Sequence, residues 1–333
     1  MEKGKNSNNT ADKTDCPESF GRFIGTSSAM LDIYKKIENI APTDTPVFIT
    51  GESGTGKEVT AQALHYYSDR REKPFIAVNC ATFSGSLVDS AIFGHVKGAF
   101  TGADQNRAGA IEQAEGGTLF LDEICEMPLE TQAKLLRFTQ DLTYQKLGSD
   151  VLRKADIRII CATNCNPAEC IKDKHFREDL YYRLNVFPIT MPPLRNRGED
   201  VIDLAYFYLE KYAAQIKSPV TDFSQHALHL FCLYDWPGNI RELQNLIRQL
   251  VATTKQPIIT ETTLPDHIQK CAFHKKEKAA DGMAHISMPL WKIEKRAIEQ
   301  AITLCGGNIP KAAGMLDISP STIYRKIQSW QDK

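Results

Sequence analysis

Residues 46–66 read PVFITGESGTGKEVTAQALHY: an apolar run, then Gly51, Gly54 and Gly56 within a few positions, then a helical run opening on Lys57. That order leaves a chain few choices. The apolar run suits a strand buried on both faces of a parallel sheet. The glycines let the backbone wrap so that successive N–H groups point at an anion, and the following helix offers its positive N-terminal end. Lys57 can then reach the β- and γ-phosphates of a nucleotide. Gly51, Glu52, Ser53, Gly54, Thr55, Gly56, Lys57 and Glu58 therefore form a candidate phosphate loop. It departs from the usual pattern in one respect, because Glu58 stands where Ser or Thr ordinarily holds Mg²⁺. Another residue, or water, must complete the metal shell.

A strand that enters such a loop needs partners. PFIAVNC (74–80), GTLFLDE (117–123) and DIRIICATN (156–164) are further apolar runs bounded by turn or polar residues, with helical runs such as PLETQAKLLRFTQ between strands. Strand–helix alternation predicts a three-layer α/β domain over residues 21–190. Asp122 and Glu123 emerge where one of these strands ends. Paired with the phosphate loop, they fit a Walker-B role: Asp122 holding Mg²⁺ through water and Glu123 orienting the attacking water. Thr163 and Asn164 close the next strand and are placed to position the γ-phosphate or that water. In FREDLYYRL, Arg177 and Arg183 are either surface ion-pair partners or planar cations suited to transition-state phosphate charge.

The Pro-rich MPPLRNRGED (191–200) ends the strand pattern, and helical periodicity predicts a small helical domain over 191–272. A polar stretch at 273–286 reads as a linker, and residues 1–20 as a disordered tail. That start lacks an apolar signal segment, and no run approaches the roughly 18–20 apolar residues that span a bilayer. The expected setting is cytoplasmic, away from membranes. Nine cysteines occur without a CxxC pair; the nearest grouping is Cys161, Cys165 and Cys170. That spacing does not suit a metal site, and reduced thiols are the simpler reading. A net charge of −1 gives no global pull toward nucleic acid, so any DNA contact needs a local basic face.

Residues 287–333 offer one. Leu290, Ile293, Ala297, Ala301 and Leu304 predict an apolar helical stripe that packs on the next helices or on a second copy. Asn308 is placed to cap a second helix, and Ser319–Pro320 to start a third. With Ile323 and Ile327 facing inward, Ser321, Thr322, Tyr324, Arg325 and Lys326 are left for DNA on a recognition helix over 319–330. Seven Lys/Arg against four Asp/Glu from 286 to 333 agree with phosphate contact.

KGAFTGAD (97–104) places a single aromatic among glycines and small residues, either tucked into the core or displayed by a loop. Taken with GESGTGKE, GGTLFLDE, FREDLYYRL and WPGNIRELQN, in that order, it gives the chain a specific resemblance to bacterial sigma-54-dependent transcriptional activators. FGHVKGAFTGA and CEMPLETQAKLLRFTQ look most like the quorum-sensing regulators of the LuxO type. The resemblance implies an α/β AAA+ P-loop ATPase core, a helical lid and a C-terminal all-α Fis-type helix-turn-helix domain. It implies ATP as the nucleotide, and it matches Glu58 after the lysine. It also implies that Gly98, Ala99, Phe100, Thr101, Gly102 and Ala103 form a loop whose Phe100 and Thr101 contact sigma-54. Asn79 would restrain Glu123, Arg177 and Arg183 would reach a neighbouring subunit's nucleotide, and Arg241 would sense nucleotide from the lid. The expected assembly is a ring, usually a hexamer, with dimeric DNA-binding domains on upstream double-stranded DNA. Its expected output is opening of promoter complexes by sigma-54 RNA polymerase.

Two departures qualify the resemblance. No receiver domain is expected ahead of residue 20, which leaves control to a separate partner or to a segment outside this chain. Asp317 stands where the family usually has Gly, beside the turn of the helix-turn-helix. The rival classes are a DNA-binding regulator with a vestigial ATPase fold and a P-loop enzyme acting on a small molecule.

Overall fold

The computed structural model describes residues 24–82, 86–270, 290–306 and 308–331. The expected tail at 1–20 and linker at 273–286 lie outside these residues. The chain divides into two compact units between Leu264 and Pro265.

The first unit begins α1 (Ser28–Ile40), β1 (Val47–Thr50), α2 (Lys57–Tyr66), β2 (Phe75–Asn79), α3 (Ser86–Phe93), β3 (Gly94–His95), β4 (Arg107–Ala108), α4 (Ala110–Gln113) and β5 (Thr118–Asp122). It continues through α5 (Leu129–Asp141), β6 (Thr143–Tyr144), β7 (Arg153–Lys154), β8 (Arg158–Thr163), α6 (Pro167–Lys172), α7 (Glu178–Leu184) and β9 (Phe187–Thr190). Five strands make a parallel sheet in the order β2-β5-β8-β1-β9. Successive residues in a strand face opposite sides, and here both sides are dry. Val47, Ile49, Phe120, Ile160 and Ala162 pack beneath α1 and α2, while Phe48, Leu119, Leu121, Ile159 and Cys161 pack against α3, α5 and α7. That double burial is why the strands read as continuous apolar runs.

Because the strands are parallel, the loops after β1, β5 and β8 open at the same sheet edge, where ligands bind in open α/β sheets. Two short antiparallel hairpins, β3–β4 and β6–β7, are additional to the strands read from sequence. A bridge between His95 and Leu147 joins them.

The lid comprises α8 (Asp200–Ile216), β10 (Asp222–Phe223), α9 (Gln225–Leu233), α10 (Asn239–Thr253) and β11 (Ile258–Ile259). Trp236 is fully buried at its centre, its indole N–H donating to Phe231 O at 2.8 Å. Buried Asp200 ties the lid to the core by accepting from Thr26 N, Ser27 N and Ser27 Oγ at 2.8, 2.9 and 2.6 Å.

In the second unit, α11 (Leu290–Leu304), α12 (Ile309–Met315) and α13 (Pro320–Gln331) enclose Ile298, Ala301, Ala312, Ala313 and Ile323. Asn308 caps α12 by accepting from Lys311 N. The apolar stripe is corrected at one position: Ala297 is exposed, and Ile298 is the buried residue. The side chains of Leu290, Ile293 and Leu304 lie outside the described residues.

Asp317 has φ +52°, with its N–H on Gly314 O and the Ile318 N–H on Ala313 O. These two bonds close α12 in a Schellman motif whose left-handed position favours glycine. The expected turn survives, with an acidic side chain set against the negative helix end. Asp317→Gly is therefore expected to stabilise the protein by about 1 kcal/mol, read as a higher midpoint for the helix-turn-helix transition in thermal melting. A lower midpoint would mean that the Asp317 side chain supports the turn.

Candidate functional site

At the β1–α2 junction, Gly51, Gly54 and Gly56 have φ of +153°, +77° and +97°. Gly54 has a second constraint, since a Cβ there would lie 2.4 Å from Gly238 O in the lid. Lys57 is almost fully buried, its ammonium donating to Gly51 O at 2.9 Å and Glu52 O at 3.3 Å. Burial holds its pKa below the ordinary lysine value, against the attraction of Glu123 and Asp122. Thr55 is buried within the loop, and Glu58 is exposed on the first turn of α2.

Asp122 and Glu123 leave β5 directly opposite this loop. The Asp122 carboxylate accepts from Glu123 N at 3.0 Å. Glu123 has φ +51°, a left-handed conformation uncommon for a side chain of this kind. Its carboxylate lies 4.0 Å from Lys57 Nζ and accepts from Asn164 N at 3.0 Å. Burial raises its pKa, opposed by the Asn164 hydrogen bond and the Lys57 charge.

Two expectations change here. Asn79 pairs in register with Asp122, but its side chain accepts from Ala81 N at 2.9 Å, and the group that holds Glu123 is the backbone of Asn164. Thr163 is fully buried and accepts from Cys165 N at 3.1 Å, so its hydroxyl serves its own loop.

The lid closes over the phosphate loop from α10. Arg241 donates to Ser53 Oγ at 2.7 Å, Asn239 Nδ2 donates to Glu52 Oε2 and Ser53 O at 3.1 and 3.0 Å, and Ile240 N donates to Gly54 O at 2.9 Å. Arg195 forms a bidentate pair with Glu52 at 2.9 and 2.5 Å. Hydrogen bonds from Arg195 and Asn239 hold the Glu52 carboxyl at about 2. Buried Arg197 donates to Thr55 O at 2.6 Å and Pro192 O at 2.8 Å, tying the loop to the hinge. Between loop and lid lies a cavity of ≈270 Å³, lined by the polar side chains of Lys57, Asp122 and Glu123 and by the apolar side chains of Ile24, Met191, Phe207 and Tyr208. Arg177 and Arg183 do not line it. Arg177 is exposed and pairs with Asp179 at 2.7 Å, while Arg183 donates to Thr139 O at 3.0 Å.

Gly98 to Ala103 turn between β3 and β4. Gly98 N donates to Ala103 O at 2.9 Å and Ala103 N to Phe100 O at 3.0 Å. Gly98 and Gly102 have φ of +84° and +96°, and an added Cβ at either would meet nothing, so the requirement there is conformational. Thr101 is exposed and Ala99 half-buried. Phe100 is half-buried as well, its ring edge-on to His95 at 5.0 Å between centroids. It is thus less exposed than a free interface anchor.

On α13, Ser321, Tyr324 and Arg325 are exposed and Thr322 half-buried. Lys326 departs from the expected DNA face, because its ammonium pairs with Glu294 of α11.

Comparison with known proteins agrees with this geometry. A family model described as "Sigma-54 interaction domain" matches residues 23–190, "AAA+ ATPase lid domain" matches 195–281, and "Bacterial regulatory protein, Fis family" matches 289–330. Regulatory protein LuxO of Vibrio vulnificus is 50% identical over 321 residues, covering 95% of this chain and 71% of the relative. The chain belongs to the sigma-54-dependent transcriptional activators. Regulatory protein AtoC of Escherichia coli is 43% identical over 313 residues, covering 93% of this chain and 68% of AtoC. The crystal structure of NtrX from Brucella abortus in complex with ATP aligns with TM-score 0.69 at 34% identity, over 93% of this chain and 69% of that one.

For this sigma-54-dependent activator, sequence reasoning missed the apolar lining of the cavity and the Arg195, Arg197 and Asn239 contacts with the phosphate loop. LRNRGED carried a signal for the first two, as paired arginines at a Pro-rich hinge. Among the described residues, no helix is long and apolar enough to cross a membrane.

Proposed function

We propose that this activator hydrolyses ATP with Mg²⁺ in a ring of its own copies, and that hydrolysis remodels sigma-54 RNA polymerase from the closed to the open promoter complex. The observation that carries the reading is Glu123, held between Lys57 and the Asn164 N–H in the lining of a cavity closed by the lid. The apolar side chains of Ile24, Phe207 and Tyr208 in its lining suit a purine ring. The loop N–H groups and Lys57 take the β- and γ-phosphates, and Glu123 accepts the proton of the attacking water.

The residues present fit Mg²⁺. Asp122 has one oxygen committed to Glu123 N, leaving the other for a bound water, and Glu58 lines the same cavity. An all-oxygen donor set suits this hard cation. Bound there, Mg²⁺ neutralises charge on the phosphate oxygens. Arg177 and Arg183 lie outside their own chain's cavity, which agrees with service to a neighbouring subunit and hence with a ring, a hexamer by family resemblance. The proposed setting is the cytoplasm, with dimeric helix-turn-helix domains on upstream double-stranded DNA.

The test is open-complex formation by sigma-54 RNA polymerase on a supercoiled promoter, with ATP or a non-hydrolysable analogue. Opening with ATP alone is expected. ATP turnover without opening in either reaction would favour a regulator that does not remodel polymerase. On the DNA side, Arg325→Ala is expected to cost about 1–3 kcal/mol of binding, measured by titrating promoter DNA at fixed salt. Lys326→Ala should cost less, since its ammonium is engaged by Glu294. The reverse ranking would move the DNA face toward Lys326.

A further inference from the structure

Glu52 and Asn239 sit where phosphate loop, hinge and lid join, and neither lines the nucleotide cavity. Glu52 faces two ways. Its backbone carbonyl accepts from Thr55 Oγ1 and Lys57 Nζ at 2.8 and 3.3 Å within the loop. Its carboxylate accepts two bonds from Arg195 of the hinge and one from Asn239 of the lid. The chemistry proposed above uses neither residue.

Asn239 is fully buried at the start of α10 with φ +51°, a backbone conformation that a Cβ disfavours. Glycine adopts it freely, so what the position gains from asparagine is its amide. Both polar atoms of that amide are engaged. Oδ1 accepts from Leu194 N at 2.8 Å, and Nδ2 donates to Glu52 Oε2 and Ser53 O at 3.1 and 3.0 Å. One buried amide thus joins hinge, loop and lid. Two residues on, Arg241 does line the cavity, and Gln244 follows on the same helix. The clasping bonds run from protein to protein and hold the lid independently of any contact that a nucleotide makes.

We propose that Glu52 and Asn239, with Arg195, form a clasp that keeps α10 seated on the phosphate loop, and that this clasp sets ATP affinity by positioning Arg241. Glu52 and Asn239 are positioning residues: they act on the nucleotide through α10 and touch none of the reacting atoms. A lid that leaves the loop part of the time weakens binding in proportion to the closed fraction. Loosening the clasp therefore raises the ATP concentration at half-maximal turnover. Lys57, Asp122 and Glu123 belong to the core, so the maximal rate changes less. The Arg195–Glu52 pair is partly open to solvent and contributes modestly by itself, whereas the buried Asn239 amide leaves Leu194 N unpaired when removed and carries more of the effect.

The effect on ATP rests on the ATPase reading, whereas the clasp itself does not. The full chain and its variants are compared in steady-state ATP turnover, and in amide hydrogen exchange over residues 239–244 at the start of α10. Glu52→Ala should raise the half-saturating ATP concentration about tenfold, and Arg195→Gln about threefold. Asn239→Gly, which suits the backbone angle and removes the amide, should raise it about tenfold or more. Arg195 is exposed, so Arg195→Gln tests the clasp even where Asn239→Gly folds poorly. Glu52→Ala combined with Arg195→Gln should go no further than Glu52→Ala alone, because both act through one carboxylate. Exchange over 239–244 should quicken in each variant. An unchanged half-saturating concentration would overturn the proposal, as would a multiplied effect of about thirtyfold in the double variant or a fall in maximal rate alone. If the unaltered chain hydrolyses no ATP, the ATPase reading fails and exchange decides the clasp: quicker exchange in Glu52→Ala supports it, and unchanged exchange overturns it.

Discussion

Glu123→Gln should bind ATP and hydrolyse it about 10²–10⁴-fold more slowly. The amide keeps the shape of the carboxylate and can still accept from Asn164 N, so the loop and cavity remain. What it loses is the carboxylate proposed to take the proton of water, together with the charge 4.0 Å from Lys57. Equilibrium binding of a fluorescent ATP analogue beside steady-state phosphate release separates the two effects. Unchanged release would remove Glu123 from the mechanism, and lost binding would make it a structural partner of Lys57.

The same residue sets a pH dependence. Burial raises the Glu123 pKa above the ordinary glutamate value of 4.5, so the base is protonated at a higher pH than an exposed glutamate. Turnover by the unaltered chain should fall as pH drops through that raised value and recover on return. A profile that stayed flat until the ordinary glutamate range would show that the carboxylate is better solvated in the working enzyme.

The contrast between Lys57 and Asn79 shows which parts of this site were legible in the sequence. The phosphate loop and the Asp122–Glu123 pair are local: strand, glycines, lysine and helix follow one another, and the acids sit at the end of an apolar run. The layered α/β core was legible for the same reason, since each strand buried on two faces announces itself as an unbroken apolar run. The hold on Glu123 was not legible. It comes from a backbone N–H across the sheet edge, a donor every non-proline residue carries, so no residue type marks Asn164 for it. Thr163 was misplaced because β8 stays buried through its last residue, which turns the hydroxyl inward. The apolar lining of the cavity brings together Ile24, Met191 and α8, segments that share no local motif. Lys326 reads as a DNA contact on its own helix, and only the packing of α11 shows its charge engaged by Glu294.

Phe100→Ala should leave ATP turnover within about twofold and abolish promoter opening. The first half follows from packing. Phe100 lies edge-on against His95, a contact worth about 1 kcal/mol. His95 is held independently through a 2.7 Å hydrogen bond between its Nδ1 and Ser90 Oγ and through its bridge to Leu147. The loop turn is closed by backbone bonds from Gly98 and Ala103 that need no aromatic ring. The nucleotide cavity has no lining residue between 98 and 103. The second half follows from the interface role proposed for the loop. A half-buried ring on a loop with left-handed glycines at both ends can leave His95 at little cost and present its face to a partner. Anchors of this kind carry about 2 kcal/mol or more of binding, a factor of roughly thirty. Gly98→Ala should resemble Phe100→Ala in outcome by a different route, since an added Cβ meets no atom and only the +84° backbone angle is penalised. Measured together, ATP release and promoter opening distinguish the cases. Loss of both in Phe100→Ala would make the ring a support for His95 and the two hairpins, and loss of opening alone would make it the working surface of the loop.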